Sequence, residues 1–143
     1  MKILMIMLGL VSFIYGAHID KFASEMNYSR DYASALEMAK KEKKLLMILV
    51  VGDYCPWCKK FERKTMKRKC VDAKVKADFV PVILDKYKDK GKYPDKFYSP
   101  VIPSVYFVNP QGEEILHQSV AYMKKDEFLD NLDDGLMAYD SEE

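Results

Sequence analysis

The sequence has few of the residues that mark a metal-rich protein, and it has no excess charge of one sign. Its 143 residues include only three cysteines and two histidines. A zinc finger needs two close pairs of such ligands, and a single Cys-x-x-Cys motif is present. Basic and acidic residues nearly balance, at 23 Lys and Arg against 22 Asp and Glu, so no global field attracts nucleic acid. We also find no internal repeat and no low-complexity linker, which disfavours a repeat protein or a chain of domains.

A long hydrophobic run is missing as well, except at the N-terminus. Residues 3–15 are apolar apart from Gly9 and Ser12, and they follow a single lysine. At about 1.5 Å per residue this run is too short to span a bilayer comfortably, but it fits a signal peptide of residues 1–16. We expect cleavage after Gly16, with Ala17 as the other option, and a buried N-terminal element is the alternative. A signal peptide predicts a periplasmic or secreted protein whose membrane contact is limited to this segment, in a compartment where a Cys-x-x-Cys pair is a redox device or a staple.

The most informative stretch of the chain runs from Gly52 to Lys60 and contains Cys55 and Cys58. An apolar run precedes it, and a segment with helix-like composition follows, so the two cysteines lie where a strand is followed by a helix. The first amides of a helix lack intrahelical partners and its dipole is positive there, which favours a thiolate on Cys55. Pro56 suits the first helical position. A nucleophilic thiolate with a second thiol beside it is what thiol–disulfide exchange requires.

The remaining periodicity predicts one α/β domain of residues 31–143, preceded by an arm of residues 17–30 with no clean period. Its composition, 49% hydrophobic, suffices for one core. The predicted order is a helix capped by Asp31, a strand over 45–51, a helix from Pro56 to about Lys69, a short helix over 72–77, a strand over 79–85, a connection over 86–99 with a short helix at 93–98, a hairpin of 105–108 with 114–117, and a helix over 124–139. We expect Phe128, Leu129, Leu132, Leu136 and Met137 on the inner face of the last helix. The order predicts a mixed sheet with helices on its faces.

Two motifs give the chain a resemblance to a known family: Cys55-Pro56-Trp57-Cys58 after a buried strand, and Ile102-Pro103-Ser104 before the hairpin. With these motifs the sequence resembles the thioredoxin superfamily over roughly residues 31–139. Within it, the sequence is similar to exported proteins related to the C-terminal domain of bacterial thiol–disulfide interchange proteins. The resemblance implies a thioredoxin-like fold with a central mixed sheet and a cis-proline at Pro103. A trans proline at the start of an edge strand is the plainer alternative.

The resemblance also implies roles for the site residues. Cys55 would be the nucleophile and Cys58 the resolving cysteine of a redox-active disulfide. The substrate would lie on Tyr54, Pro56 and Trp57 and would pair with the backbone of Ile102, beside Pro103. The implied partners are proteins with disulfides and a thiol electron donor, either soluble or in the membrane. No cofactor or nucleic acid is implied, and we expect a monomer.

The sequence departs from cytoplasmic thioredoxin at two positions. Leu49 stands where thioredoxin carries a buried acid that assists proton transfer, and Asp53, Asp85 or Glu62 could replace it through water. The residues between the cysteines are Pro-Trp, unlike the Gly-Pro of thioredoxin or the Pro-His of strongly oxidising relatives. Because Trp57 supplies no positive charge to a thiolate, we expect a less oxidising couple than the Pro-His type.

Two alternative functions and the role of Cys70 remain open from the sequence. A metal site would combine the two cysteines with Cys70, His117 or His18, and an Ala17 amine with His18 could bind copper. A binding module would keep Cys55 and Cys58 as a permanent disulfide. The odd cysteine, Cys70, is interpreted as a half-buried residue near a helix end, or else as a third redox thiol or an intermolecular link.

A run of basic residues follows the cysteines. Its outward positions are Lys59, Lys60, Arg63, Lys64, Lys67 and Arg68. A solvated helix face is the plainer interpretation, but this surface could also attract acidic partners or stabilise the Cys55 thiolate.

Overall fold

The computed structural model describes residues 18–141. The expected signal peptide, Ala17 and the last two residues lie outside that range. Within residues 18–141, no helix combines the length and the apolar character needed to cross a membrane. The elements are α1 (His18–Met26), α2 (Tyr32–Glu42), β1 (Leu45–Val51), α3 (Pro56–Phe61), a π-helical segment (Glu62–Met66), α4 (Lys69–Asp78), β2 (Phe79–Asp85), a 3₁₀ turn (Asp95–Phe97), β3 (Ser104–Val108), β4 (Ile115–Val120) and α5 (Lys125–Asp140).

The four strands form one mixed sheet in the order β2-β1-β3-β4. β1 is parallel to β2 and antiparallel to β3, and β3 and β4 form an antiparallel hairpin. β1 is buried at all seven positions because it lies inside the sheet and both of its faces are covered. β2 is an edge strand of the sheet. Pro81 has no amide hydrogen to donate to a neighbouring strand, and an edge strand tolerates this better than a central one. The predicted mixed sheet and its hairpin are confirmed.

Alternate residues of β1 enter two separate cores, as the two-residue period of a strand requires. Met47 and Leu49 face the core beneath α1, α3, α4 and α5. Ile48 and Val50 face a second core, which α2 and the segment around Phe97 cover. The cysteine motif therefore begins directly after β1, a strand that is buried along its whole length.

The first helix, α1, is absent from the sequence prediction, which treated residues 17–30 as an arm without a period. Its apolar residues Ile19, Phe22, Ala23 and Met26 are buried and belong to the first core. Their spacing is that of one helix face. Beyond α1, the Ser29 amide donates to the Pro81 carbonyl at 3.1 Å, which joins the segment after the helix to the outer side of β2.

The prediction of one helix from Pro56 to about Lys69 is wrong. α3 ends at Phe61, the next five residues form a π-helical turn, and Arg68 is extended before α4 begins. The hydroxyl of Thr65 donates to the Met123 carbonyl at 2.6 Å, so a contact with a distant loop stabilises the wide turn. The break leaves Cys70 in the first turn of α4, where it is exposed and free, and the half-buried position expected for it is also wrong.

The C-terminal helix α5 packs on the sheet through Phe128, Leu132 and Gly135. A Cβ atom built on Gly135 would lie 3.0 Å from the Phe107 ring, so this glycine permits close contact between α5 and β3. Met137, predicted to face inward, is 67% exposed, because Gly135 rather than Met137 occupies the inner face of that turn.

Candidate functional site

Cys55 and Cys58 form a disulfide at the junction of β1 and α3. Cys55 is the N-cap residue of α3, and its Sγ accepts a hydrogen bond from the Cys58 amide at 3.1 Å. Pro56 is the first helical residue, as predicted. The two sulfurs differ in access, since Cys55 is half-buried and Cys58 is 1% exposed. The helix start would stabilise a thiolate on Cys55, the sulfur that a partner can reach.

A cis-proline lies against the disulfide. The Ile102–Pro103 peptide bond is cis, and Pro103 is buried. The Ile102 carbonyl oxygen is 3.8 Å from Cys55 Sγ. Gly52, at the end of β1, permits this approach, since a Cβ atom there would lie 3.1 Å from Ile102 Cδ1. The structure thus brings together the two motifs that were singled out in the sequence, with the half-buried sulfur at their junction.

Aromatic side chains surround the half-buried cysteine. Tyr54 is 96% exposed and Trp57 is 57% exposed, at the positions expected for a substrate rim. Trp57 also contacts Tyr122, with ring centroids 5.7 Å apart. On the other side of Cys55, a groove of about 360 Å³ extends past Tyr54 and Ile102 to Tyr87.

The sequence analysis missed Tyr87 and Tyr122 as members of the site. Tyr122 follows β4, where no periodic pattern indicates its position. Tyr87 could have been found, because it follows β2 and the carboxyl ends of parallel β1 and β2 meet at one edge of the sheet.

Two of the three acids proposed to replace the acid missing at Leu49 are held by hydrogen bonds to neighbouring groups. Leu49 itself is buried in the first core. The Asp85 carboxylate accepts the Tyr87 and Lys88 amides at 2.7 and 2.9 Å and caps the turn after β2. Asp53 pairs with the Lys88 side chain and accepts the Ile19 amide at 3.3 Å. Burial alone would raise the pKa of Asp53, but these hydrogen bonds lower it overall. Asp53 is therefore a fixed anion near neutral pH.

Glu62 differs from the other two acids. Its side chain is only 4% exposed, and Oε2 lies 2.7 Å from Nε2 of His18 in α1. Burial raises the pKa of Glu62, against the lowering effect of His18. The Glu62 amide donates to the Cys58 carbonyl, so Glu62 follows Cys58 by one helical turn, and residues four apart share a helix face. Asp85 is buried as well, at 2% exposed, so what singles out Glu62 among the three is its place one helical turn after Cys58.

The metal ligands considered from the sequence do not assemble with the cysteines. His117 Nε2 is 2.7 Å from Asn131 Oδ1, and His18 bonds to Glu62. Across residues 18–141, no three His, Cys, Asp or Glu side chains gather in a way that would hold a metal ion.

Known structures share this fold at low sequence identity. The chain is similar to a structure described as DsbH oxidoreductase, with TM-score 0.63 and 17% identity over 76% of this chain and 83% of that one. It is similar to a thioredoxin from Thermus thermophilus, with TM-score 0.66 and 20% identity over 74% and 84%. It is also similar to the reduced C-terminal domain of DsbD from Neisseria meningitidis, with TM-score 0.58 and 21% identity over 72% and 92%. A comparison with curated protein sequences gave no match.

A family model described as a thioredoxin-like domain matches residues 32–136. The match includes the Cys-x-x-Cys motif, the cis-proline and all four strands of the sheet. The thioredoxin-like fold predicted from the sequence is thus confirmed, and the chain belongs to the thioredoxin-like domain family.

Proposed function

We propose that the protein is an exported thiol–disulfide oxidoreductase that reduces or exchanges disulfides of other proteins through Cys55 and Cys58. The observation that carries the proposal is the difference between the two sulfurs. Cys55 is accessible at a helix start beside cis-Pro103, whereas Cys58 is buried one turn behind it. An accessible nucleophile with an inaccessible second thiol favours transient mixed disulfides that resolve within the protein.

The proposed reaction begins with the reduced protein. The Cys55 thiolate attacks one sulfur of the partner disulfide, and the other partner sulfur leaves as a thiolate. Cys58 then loses its proton and attacks Cys55 Sγ, which releases the second partner thiolate and forms the Cys55–Cys58 disulfide. The partner gains two electrons and two protons, and the protein loses them. A thiol donor then restores the dithiol by the same exchange in reverse.

The substrate is proposed to lie across the rim formed by Tyr54, Pro56 and Trp57. A disulfide that approaches Cys55 from solvent must pass these exposed side chains. The Ile102 backbone is the proposed partner for an extended substrate segment, and its carbonyl is next to Cys55. Pro103 lacks an amide hydrogen, so on that side of the cis peptide bond the backbone offers the substrate only the groups of Ile102.

Export, processing after Gly16 and a monomeric state belong to the same proposal. The support for export is the apolar segment of residues 3–15 behind one lysine. N-terminal sequencing of the protein recovered from a periplasmic or culture fraction tests the cleavage point.

The direction of the reaction is tested by the reduction potential of the cysteine pair. Equilibration with glutathione or dithiothreitol buffers is followed by the fluorescence of Trp57, the only tryptophan. We expect a value nearer to about −270 mV than to about −120 mV, because no cationic residue separates the cysteines. A value near −120 mV would make the protein an oxidant instead.

The assignment of the two cysteines is tested by single serine variants. We expect Cys58→Ser to accumulate a mixed disulfide with a substrate protein, because Cys55 can attack but nothing resolves the product. Both variants are made with Cys70→Ser, because Cys70 is exposed and free. Cys55→Ser should then form no mixed disulfide, because its remaining motif thiol, Cys58, is buried. If the wild-type pair does not titrate reversibly, the disulfide is a permanent staple, and a binding module replaces the enzyme.

A further inference from the structure

A cluster of positive charge lies next to the cysteine motif, formed by two segments that are distant in sequence. Five basic side chains and Tyr122 line a cavity of about 450 Å³. The basic residues, here named the basic surface, are Lys60, Lys64, Arg68, Lys124 and Lys125. The first three come from the region of α3 and the π-helical segment, and the last two from the start of α5. A chain with a formal net charge of only +1 thus concentrates positive charge beside its redox site.

The basic surface is poorly neutralised within the protein. Lys125 pairs with its neighbour Asp126 at 3.0 Å, and among residues 18–141 the other four side chains form no ion pair with a carboxylate. Some basic residues elsewhere do have such partners, for example Lys74 with Asp133 at 2.6 Å and Lys67 with Glu25 at 2.5 Å. Like charges that surround one cavity repel each other, and an anionic partner would relieve this repulsion.

The start of α5 carries Lys124 and Lys125 together with two acids, Asp126 and Glu127, in the same turn. Lys124 is the N-cap residue and Lys125 the first residue of a helix of 16 residues, at the end where the dipole is already positive. The Glu127 carboxylate accepts a hydrogen bond from the Lys124 amide at 3.3 Å and so caps the helix, which directs its negative charge to the backbone. Two lysines at this end are unfavourable for the helix itself, which favours a role outside it.

The basic surface is continuous with the rim of the redox site. Lys60 Nζ lies 4.8 Å from the centroid of the Trp57 ring and 4.7 Å from that of Tyr122. Trp57 separates the two cysteines in the sequence. A molecule on the basic surface would therefore adjoin Cys55. A protein whose disulfide reacts with Cys55 must come to lie at that position. A membrane or a nucleic acid carries no disulfide that would bring it there.

We propose that the basic surface binds an acidic segment of the protein whose disulfide exchanges with Cys55. This inference rests on the proposed function and adds the chemistry of the partner. Complementary charge accelerates encounter more than it tightens the final complex, so the effect belongs to the rate of mixed-disulfide formation. Ionic strength must weaken it, because exposed charges are screened within about 10 Å at 0.1 M salt.

The test compares three peptides that carry the same disulfide with glutamate, glutamine or lysine flanks. The reduced protein is mixed with each, and the second-order rate constant is read from Trp57 fluorescence. At about 10 mM salt we expect the acidic peptide to react roughly tenfold faster than the neutral one, and the basic peptide more slowly than both. The three rates should converge at about 0.5 M salt.

Two double variants with equal charge change separate the basic surface from net charge. Lys64→Glu with Arg68→Glu should remove the preference for the acidic peptide and leave the rate with the neutral one within about twofold. Lys40→Glu with Lys41→Glu changes exposed residues of α2, which packs on the other face of the sheet, and should keep the preference. The reduction potential of each variant is measured alongside.

Three outcomes would overturn the inference. The first is equal rates for all three peptides with the wild-type protein. The second is an equal slowing of all peptides in Lys64→Glu with Arg68→Glu, which would mean that the charges act only on the thiolate. The third is loss of preference in both double variants. The neutral peptide reports the proposed function separately: if it is never reduced, the oxidoreductase proposal fails and the inference fails with it.

Discussion

Glu62 is a buried acid whose partner, His18, is partly exposed, with 42% of its side chain accessible. Glu62 follows Cys58 by one helical turn, and Cys58 has to lose a proton before it can resolve the mixed disulfide. Leu49 offers no carboxyl group where thioredoxin has one, and Asp53 is held as an anion by Lys88 and the Ile19 amide. We therefore propose that Glu62 accepts the Cys58 proton, directly or through water, with His18 fixing its orientation.

Replacement of Glu62 by glutamine should slow the resolution of the mixed disulfide by about a hundredfold, the lower end of the range for a general base. Burial raises the pKa of Glu62, so the wild-type rate should increase as the pH passes through that raised pKa, and Glu62→Gln should lack this limb. Stopped-flow measurement of the mixed disulfide between about pH 5 and pH 8 tests this.

Unfolding of the variant does not explain such a loss. An acid with a raised folded-state pKa costs stability when it ionises above its unfolded pKa, so glutamine should leave stability unchanged or higher near neutral pH. Asp53→Asn is the matched control and should keep the pH limb. A wild-type pH profile in Glu62→Gln would contradict the role.

At the scale of elements, α1 and the segment after β2 are joined by a small ionic network. Arg30, just before α2, donates to Asp89 at 2.9 Å, to Asp20 of α1 at 2.7 Å and to the Ile83 carbonyl. The Asp89 carboxylate also accepts the Asp85 amide at 2.7 Å. The network holds α1 and the turn that carries Tyr87 against the edge strand β2, so the groove beside Cys55 depends on it.

Asp89→Asn should lower the free energy of unfolding by about 2 kcal/mol at pH 7, the range for hydrogen bonds to a charged group. Burial alone would raise the pKa of Asp89, but its bonds to the Asp85 amide and Arg30 lower it overall. The stabilisation is therefore present above the unfolded pKa and is lost as the pH falls below about 4. Urea denaturation measures the free energy of unfolding at pH 7 and at pH 3. The decrease between the two pH values should be smaller in Asp89→Asn than in the wild-type protein.

The exposed pair of Asp126 with Lys125 provides the comparison for this result. Asp126→Asn should change the free energy of unfolding by no more than about 0.5 kcal/mol, because exposed ion pairs contribute little. Equal effects of the two substitutions would show that the Arg30 network is only a surface contact.

At the scale of the whole molecule, the sequence predicts the strands and the redox motifs well and the N-terminal and irregular segments poorly. β1 and β2 match their predicted bounds, because nearly every residue is apolar and the two runs end at Gly52 and at Asp85. The break after Phe61 could not be predicted, since the local sequence favours a helix and a contact from Thr65 to Met123 competes with it. The basic surface could be predicted only in part. Its residues after the cysteines form one basic run in the sequence, but Lys124 is distant in sequence and joins them only in the folded chain.

The N-terminal helix is the clearest such case. The sequence of residues 17–30 shows no clean period over its whole length and predicts an arm, although four apolar residues within it have the spacing of one helix face. In the structure the Phe22 ring is buried and packs edge-on against Tyr28, with centroids 5.6 Å apart. The helix therefore closes the first core, which also contains Cys58.

If α1 is an integral part of the domain, Phe22→Ala should lower the free energy of unfolding by about 3–5 kcal/mol, since it removes a buried ring from a packed core. Urea transitions followed by circular dichroism and by Trp57 fluorescence should shift together, as expected for one cooperative unit. Lys21→Ala, an exposed neighbour on the same helix, should shift neither by more than about 0.5 kcal/mol. A detachable arm would behave differently: the fluorescence transition of Phe22→Ala would stay at the wild-type midpoint while helical signal is lost before it.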